Sequence, residues 1–306
     1  MTSSTRKSLP AWRAWLEIDT PESVRQASLQ EIWRKLLHFR GQTLGMIGLI
    51  LLLFLLFVVI AAPLLATHNP NIQELSQRLQ PPSAEHWLGT DHLGRDTYSR
   101  VVYGARTTLR IAVLVAIIVA PLGLIIGAAA GYLGGVVDEI LMRITDIFLA
   151  FPGLILALAF AAALGPGINN AIIAIALTAW PPIARLARAE ALTVRRSDYI
   201  AAVRLQGASA GRIIFRHVIP ICLPSVTVRV TLNMAGVILT AAGLGFLGLG
   251  AQPPHAEWGA MVAVGRQFMF DHPWVVAAPG IAIAIISLAF NLFGDALRDT
   301  LDPRLG

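Results

Sequence analysis

Five charge-free apolar runs constrain this chain more than any other feature. Leu44 to Ala66 is 23 residues long, Ile111 to Val137 is 27, Ile147 to Ala184 is 38, Val230 to Ala256 is 27 and Pro273 to Gly294 is 22. A helix that crosses the hydrocarbon core of a bilayer needs roughly 20 residues at about 1.5 Å each. The longest run therefore suffices for two crossings, and Gly165-Pro166-Gly167 with Asn169-Asn170 supplies a turn in its middle. The pattern predicts six transmembrane helices with cores near 44–66, 111–133, 147–164, 168–187, 226–250 and 274–295.

Composition excludes the other classes. Hydrophobic residues make up 56% of the chain, charged residues 14%, and mean hydropathy is +0.66. A soluble domain carries roughly 25% charge, so there is too little polar surface here to cover a water-soluble globule. Disordered chains are poor in apolar residues, which this one is not. The runs are continuous rather than alternating, against transmembrane β-strands. The first begins at residue 44 and is too long for the apolar stretch of a cleavable signal. The expected fold class is all-α, a polytopic membrane protein. The single cysteine, Cys222, rules out an intrachain disulfide framework or a cysteine-based metal cage.

Arginine and lysine orient the spans. The segment before Leu44 holds seven, the 134–146 loop Arg143, the stretch from Arg185 to Arg216 seven more, and the C-terminus Arg298 and Arg304. These 17 face six on the opposite side, so both termini are expected in the cytoplasm. The net charge of +6 then faces a membrane surface rather than nucleic acid. Residues 1–43 read as a cytoplasmic tail and 44–306 as the transmembrane domain. Within the tail, 1–23 reads as flexible. Leu29, Ile32, Trp33, Leu36 and Leu37 recur at helical spacing beside Arg34, Lys35 and Arg40, which suits an interfacial helix or one packed on a partner. Loop 67–110 is expected to form a small extracytoplasmic structure, with Glu74, Glu85, Asp91 and Asp96 pairing its arginines. Gly123, Gly127 and Gly131 allow close approach either of a partner subunit or of a neighbouring helix of the same chain. The glycines at 243, 245, 248 and 250 suit close packing or a bendable helix end.

Missing chemistry narrows the mechanism. Lys7 and Lys35 both follow arginine, so no P-loop lysine exists. No H-E-x-x-H helix or G-x-S-x-G elbow is present. His68, His86 and His92 share a loop without metal-ligand spacing and read as solvated; no metal site is assigned. Carboxylates such as Asp138, Asp146 and Asp295 fall at span ends, unlike those of an ion-coupled carrier. The chain has no energy source of its own.

The 188–224 loop is suited to docking a cytosolic partner that would supply one. Tyr199 to Gln206 reads as a short helix ended by a left-handed turn at Gly207. Ser209 can cap a second helix, Ala210 to Val218, which Pro220 is expected to stop. Ala201 and Ala202 leave room for a partner surface. Two small residues, then glycine, then proline thirteen positions later resemble the EAA loop of bacterial ABC-importer permeases; Ala201 stands where a glutamate leads the general pattern. HWLGTDHLGRDTYSRVVYGARTTL (86–109), FLGLGAQPPHAEWGAM (246–261) and FNLFGDALRDTLDPRL (290–305) resemble the dipeptide/oligopeptide/nickel permeases, specifically the second of their two permease subunits.

That resemblance implies a type I importer permease fold in the bacterial inner membrane, paired with a homologous permease subunit. Two ATP-binding subunits would dock below and a periplasmic solute-binding protein would deliver cargo above. It assigns ATPase coupling to Tyr199, Ala201, Ala202, Gly207, Ala208 and Pro220. No cofactor belongs to this chain, because ATP and Mg are bound by the partner ATPases. A short peptide is the expected cargo and nickel or a metal chelate the alternative. Thr178, Asn233 and Thr240 are the polar candidates for a pathway or for structural hydrogen bonds.

Overall fold

The structure, a computed structural model, describes Trp15 and residues 23–301. The tail expected over 1–23 lies almost wholly outside the described residues, as does Arg304. Helices α1 (Val24–Gly41) and α2 (Thr43–Leu65) lead through a long loop to α3 (Thr97–Leu133). Next come α4 (Gly135–Leu149), α5 (Gly153–Leu164), α6 (Ile168–Ala179) and α7 (Pro181–Arg195). Two short helices, α8 (Asp198–Leu205) and α9 (Ala210–Ile213), precede α10 (Ile219–Phe246). The series ends with α11 (Trp258–Gly265) and α12 (Trp274–Leu301). Among the described residues five helical stretches are long and apolar enough to cross a bilayer. The α4–α5 pair makes a sixth when counted as one span.

That pair departs from the straight span expected over 147–164, because it bends by 90°. Phe151 precedes Pro152, and a residue before proline is pushed out of helical geometry. The turn between α5 and α6 is the one expected. Gly165 and Gly167 take φ of +86° and +143°, and the Asn170 amide donates to the Leu164 carbonyl at 2.8 Å.

The core forms where α3 meets α7, the most extensive helix pair of the chain. A Cβ on Gly123 would meet Ile183 Cβ at 2.8 Å, and one on Gly131 would meet Ala191 Cβ at 2.7 Å. Gly127 faces the Ala184 carbonyl just as closely. The glycine stripe therefore serves a neighbouring helix of the same chain. On the far side, Gly45 and Gly48 of α2 receive Ala296 and the Phe293 backbone of α12. Helix α1 leaves Leu29, Ile32 and Leu36 exposed, an apolar face that the described chain does not cover.

Helix α3 begins at Thr97, well before the predicted 111, because the Asp96 carboxylate accepts from Ser99 N at 2.8 Å and caps it. The loop before it folds around buried charge, as expected for Asp91, whose Oδ2 accepts from Arg95 Nε at 2.7 Å. Arg100 closes on the same carboxylate at 3.6 Å and donates to the Pro70 carbonyl at 2.9 Å. Glu74 and Glu85 instead stay exposed. His86 also departs from its solvated reading: it is buried, with Asp96 and Gln77 engaging its two ring nitrogens. His68 and His92 are partly exposed.

The 246–261 stretch folds α11 back against α10. Gly259 lies directly on Ala242, Trp258 packs over Gly104, and the Trp258 indole donates to the Val101 carbonyl at 2.9 Å. Glu257 caps α11 by accepting from Gly259 N at 2.7 Å and Ala260 N at 2.8 Å, in space left by Gly245. Its burial pushes the carboxyl up to about 7, against the pull of both amides. A carboxyl raised by folding stabilises the fold while protonated, and that contribution is lost as pH rises from about 4.5 through about 7. Glu257→Gln should therefore gain thermal stability relative to the parent as pH rises across this interval. Thermal unfolding of both proteins from pH 4.5 to 7.5 checks it; a constant difference would contradict the buried-acid account.

Candidate functional site

The segment between α7 and α10 is built by local rules. Arg196 and Ser197 end one helix and begin the next, with Ser197 Oγ accepting from Ile200 N at 3.4 Å. Gly207 turns the chain at φ +80°, and open space surrounds the position where its Cβ would stand. Its demand is thus for backbone conformation rather than room. Ser209 Oγ then accepts from Arg212 N at 3.4 Å to start α9.

Pro220 does not stop this second helix. The backbone passes through a π-turn, Ile214–Val218, and continues as α10, with Ile219 N donating to the Ile214 carbonyl. A π-turn relieves the clash and the missing donor that proline brings to a helix. Pro220 sits in the first turn of α10, where its missing N–H costs little. Cys222, expected just outside the span, is consequently inside α10 and fully buried.

The outer face of α8 presents Ala201, Ala202, Gly207 and Tyr199, all exposed, while Ala208 is half-buried. The Tyr199 hydroxyl meets His217 Nδ1 at 2.6 Å and ties α8 to the π-turn. Two further residues belong to this face and were not singled out from sequence. Leu205 is 89% exposed and Phe215 62% exposed, so the basic loop carries apolar anchors as well. Leu205 lies three and four positions after the alanines, which is the spacing that could have revealed it. The inner face is held. Ile200, Ile213 and Val218 are buried in the same core cluster as Ala187 and Ala191 of α7. Arg188 of α7 grips Asp138 of α4 with two bonds, Nε to Oδ1 at 2.5 Å and Nη2 to Oδ2 at 2.6 Å. The arrangement is a small, exposed helix whose inner residue, Ile200, is buried in the core cluster of the spans.

Toward the opposite end of α10, Asn233, Gly236, Thr240 and Gly243 repeat at helical spacing along a face only partly covered by the chain itself. A Cβ on Gly236 would touch nothing nearer than Asn233 Oδ1 at 3.9 Å. Thr240 donates to the Gly236 carbonyl at 2.8 Å, and Thr178 to the Ile175 carbonyl at 3.0 Å. Their hydroxyls are thus satisfied inside their own helices.

Residues 105–306 match the family model described as the binding-protein-dependent transport system inner membrane component. The chain belongs to this family. Residues 28–82 match the N-terminal transmembrane domain of oligopeptide transport permease C. The chain is 46% identical over 267 residues to the probable D,D-dipeptide transport system permease protein DdpC of Escherichia coli K12, covering 87% of this chain and 90% of that one. It is 43% identical to the di/tripeptide transport system permease protein DppC of Pseudomonas aeruginosa UCBPP-PA14, over 93% and 95% of the two chains. The nickel transport system permease protein NikC of Escherichia coli K12 is 41% identical, over 85% and 94%. Among solved structures, an inward-facing MetNI methionine ABC transporter chain superposes with a TM-score of 0.53 at 20% identity, over 66% of this permease and 96% of that chain. The fold is the type I importer permease fold, and the protein is a transporter subunit.

The packing under α8 generates one expectation. Ile200→Ala should cost about 2–5 kcal/mol, as large-to-small changes in a closed core do. It should also speed tryptic cleavage after Arg204 in the purified protein. An unchanged cleavage rate would show that α8 is not held by this contact.

Proposed function

We propose that this chain is the second permease subunit of a bacterial ABC importer for short peptides. It forms the translocation path with a homologous permease subunit. Two separate ATP-binding subunits hydrolyse ATP with Mg and dock on the 188–224 face, and a solute-binding protein delivers cargo to the opposite face. Both termini lie in the cytoplasm, a reading supported by the excess of 17 over six arginines and lysines. The observation that carries the proposal is α8, exposed through Ala201, Ala202 and Leu205 and rooted in the spans through Ile200. ATP-driven closure of the docked subunits moves α8, and α7 and α10 alternate the path between its two openings. The Asn233–Gly243 stripe of α10 lines that path with small and polar groups, suited to a cargo of variable side chains.

Support for peptide as cargo comes from the dipeptide permeases among the relatives. A bare nickel ion would also call for imidazole, thiolate or carboxylate ligands at depth. Nickel or a metal chelate is the second reading, favoured by the NikC likeness. A strain lacking this subunit should fail to take up di- and tripeptides. Lost nickel accumulation with intact growth on those peptides would overturn the peptide assignment.

Coupling is tested separately. Valine resists the left-handed backbone of Gly207 by roughly 1–2 kcal/mol, and a glutamate at Ala202 would be buried unpaired in the docked interface. Gly207→Val and Ala202→Glu should each abolish uptake at normal protein level while ATP hydrolysis by the assembled complex persists. Full uptake in either variant would remove the loop from the mechanism.

A further inference from the structure

The loop between α2 and α3 brings together three metal-ligating side chains that are distant in sequence. His86 Nδ1 lies 2.9 Å from Asp96 Oδ1. His68 Nδ1 approaches the same oxygen at 3.9 Å. The ligand atoms of His68, His86 and Asp96 all fall within 4.8 Å of one another. The imidazole rings are 4.6 Å apart. A cleft of about 110 Å³ opens over them, rimmed by Glu74 and Glu85. The His86 and Asp96 side chains are 8% and 1% exposed, while that of His68 is 38% exposed, with its Nδ1 3.0 Å from Thr67 Oγ1.

The hydrogen bonds give this cluster a direction. Gln77 Oε1 lies 2.7 Å from His86 Nε2 and accepts from it in the tautomer protonated at that nitrogen. In that tautomer the Nδ1 lone pair faces Asp96 Oδ1 at 2.9 Å, an acceptor opposite an acceptor. A cation between them removes the repulsion. A ligating histidine whose other ring nitrogen donates to an oxygen is the usual outer-shell arrangement of a metal site. A tetrahedral ion with bonds near 2.0–2.1 Å sets its ligand atoms roughly 3.4 Å apart. The observed 2.9 and 3.9 Å bracket that spacing. Two imidazoles and one carboxylate suit zinc-class ions rather than calcium or magnesium, which take oxygen ligands. The carboxylates of Asp96, Glu74 and Glu85 make the cleft attractive to a cation.

We propose that His68, His86 and Asp96 form a binding site for one zinc-class divalent ion, with its fourth position open to the cleft. The ligands come from just past the end of α2, the middle of the loop and the cap of α3. The ion therefore staples the outer cap to the first two spans. It lies outside the spanning helices and is no part of the cargo path, so the site stands independently of the peptide reading. The competing arrangement is a His86 ring that donates from Nδ1 to Asp96 Oδ1 with no ion needed.

The test uses the full-length chain, purified without a polyhistidine tag in lipid nanodiscs and stripped with a chelator. Cobalt(II) is titrated and read by its visible absorption. One equivalent should bind with a low-symmetry d–d spectrum, zinc should displace it, and zinc should raise the thermal midpoint of the stripped protein. His68→Ala and His68→Gln should each weaken binding at least about tenfold, while His255→Ala should leave it unchanged. His68 is the partly exposed ligand, and the metal-free midpoint of each variant reports whether it folds. Absence of saturable binding at one equivalent, or equal binding by both folded His68 variants, would overturn the site and favour the closed hydrogen-bond pair.

Discussion

The close approach of α3 and α7 is the constraint on which the rest of the structure depends. In a bilayer, apolar side chains gain little by leaving lipid for protein, so helix association rests on packing and interhelical bonds. Gly123, Gly127 and Gly131 let α7 come close enough for its alanines to lie on the α3 backbone. Both ends of the molecule hang from that seam. The cap of α3 anchors the outer loop, and α7 runs directly into the exposed α8 face. The Arg188–Asp138 pair then adds α4 to the same unit.

Much of this was legible in the residues, and what was not has physical causes. Charge-free length located the spans, because a bilayer imposes a minimum length on any crossing. Length says nothing of direction, so the bend at Pro152 had no sequence signal beyond the proline itself. The left-handed turn at Gly207 and the caps at Ser197 and Ser209 follow from local chemistry. Continuation through Pro220 does not, since proline alone reads as a stop, whereas here a π-turn carries Ile213, Ile214 and Val218 into the core. The glycine stripe announced close approach but not its partner, which only tertiary placement decides.

The outer cap was the least legible part. Its histidines have no short spacing, and Asp96 serves at once as helix cap and as partner of His86. Side chains meet there only because the Asp91–Arg95–Arg100 cluster folds the loop back on itself. Glu257 shows the same logic at the other outer segment. A glycine at 245 makes the space, and a buried carboxylate uses it to hold two amides.

The contrast between the spans bears on how the chain is made. Helix α2 is the most apolar of the long helices and the least covered by its own chain, whereas the α6–α7 stretch is the least apolar and the most covered. A nascent α2 can leave the translocon and partition into lipid unaided. The α6–α7 stretch has no such independence, since Arg185 and Arg188 find their partners, Asp146 and Asp138, on α4. Synthesis order supplies that helix first. The least self-sufficient span is thus the one whose helix partners, α3 and α4, both precede it in the chain.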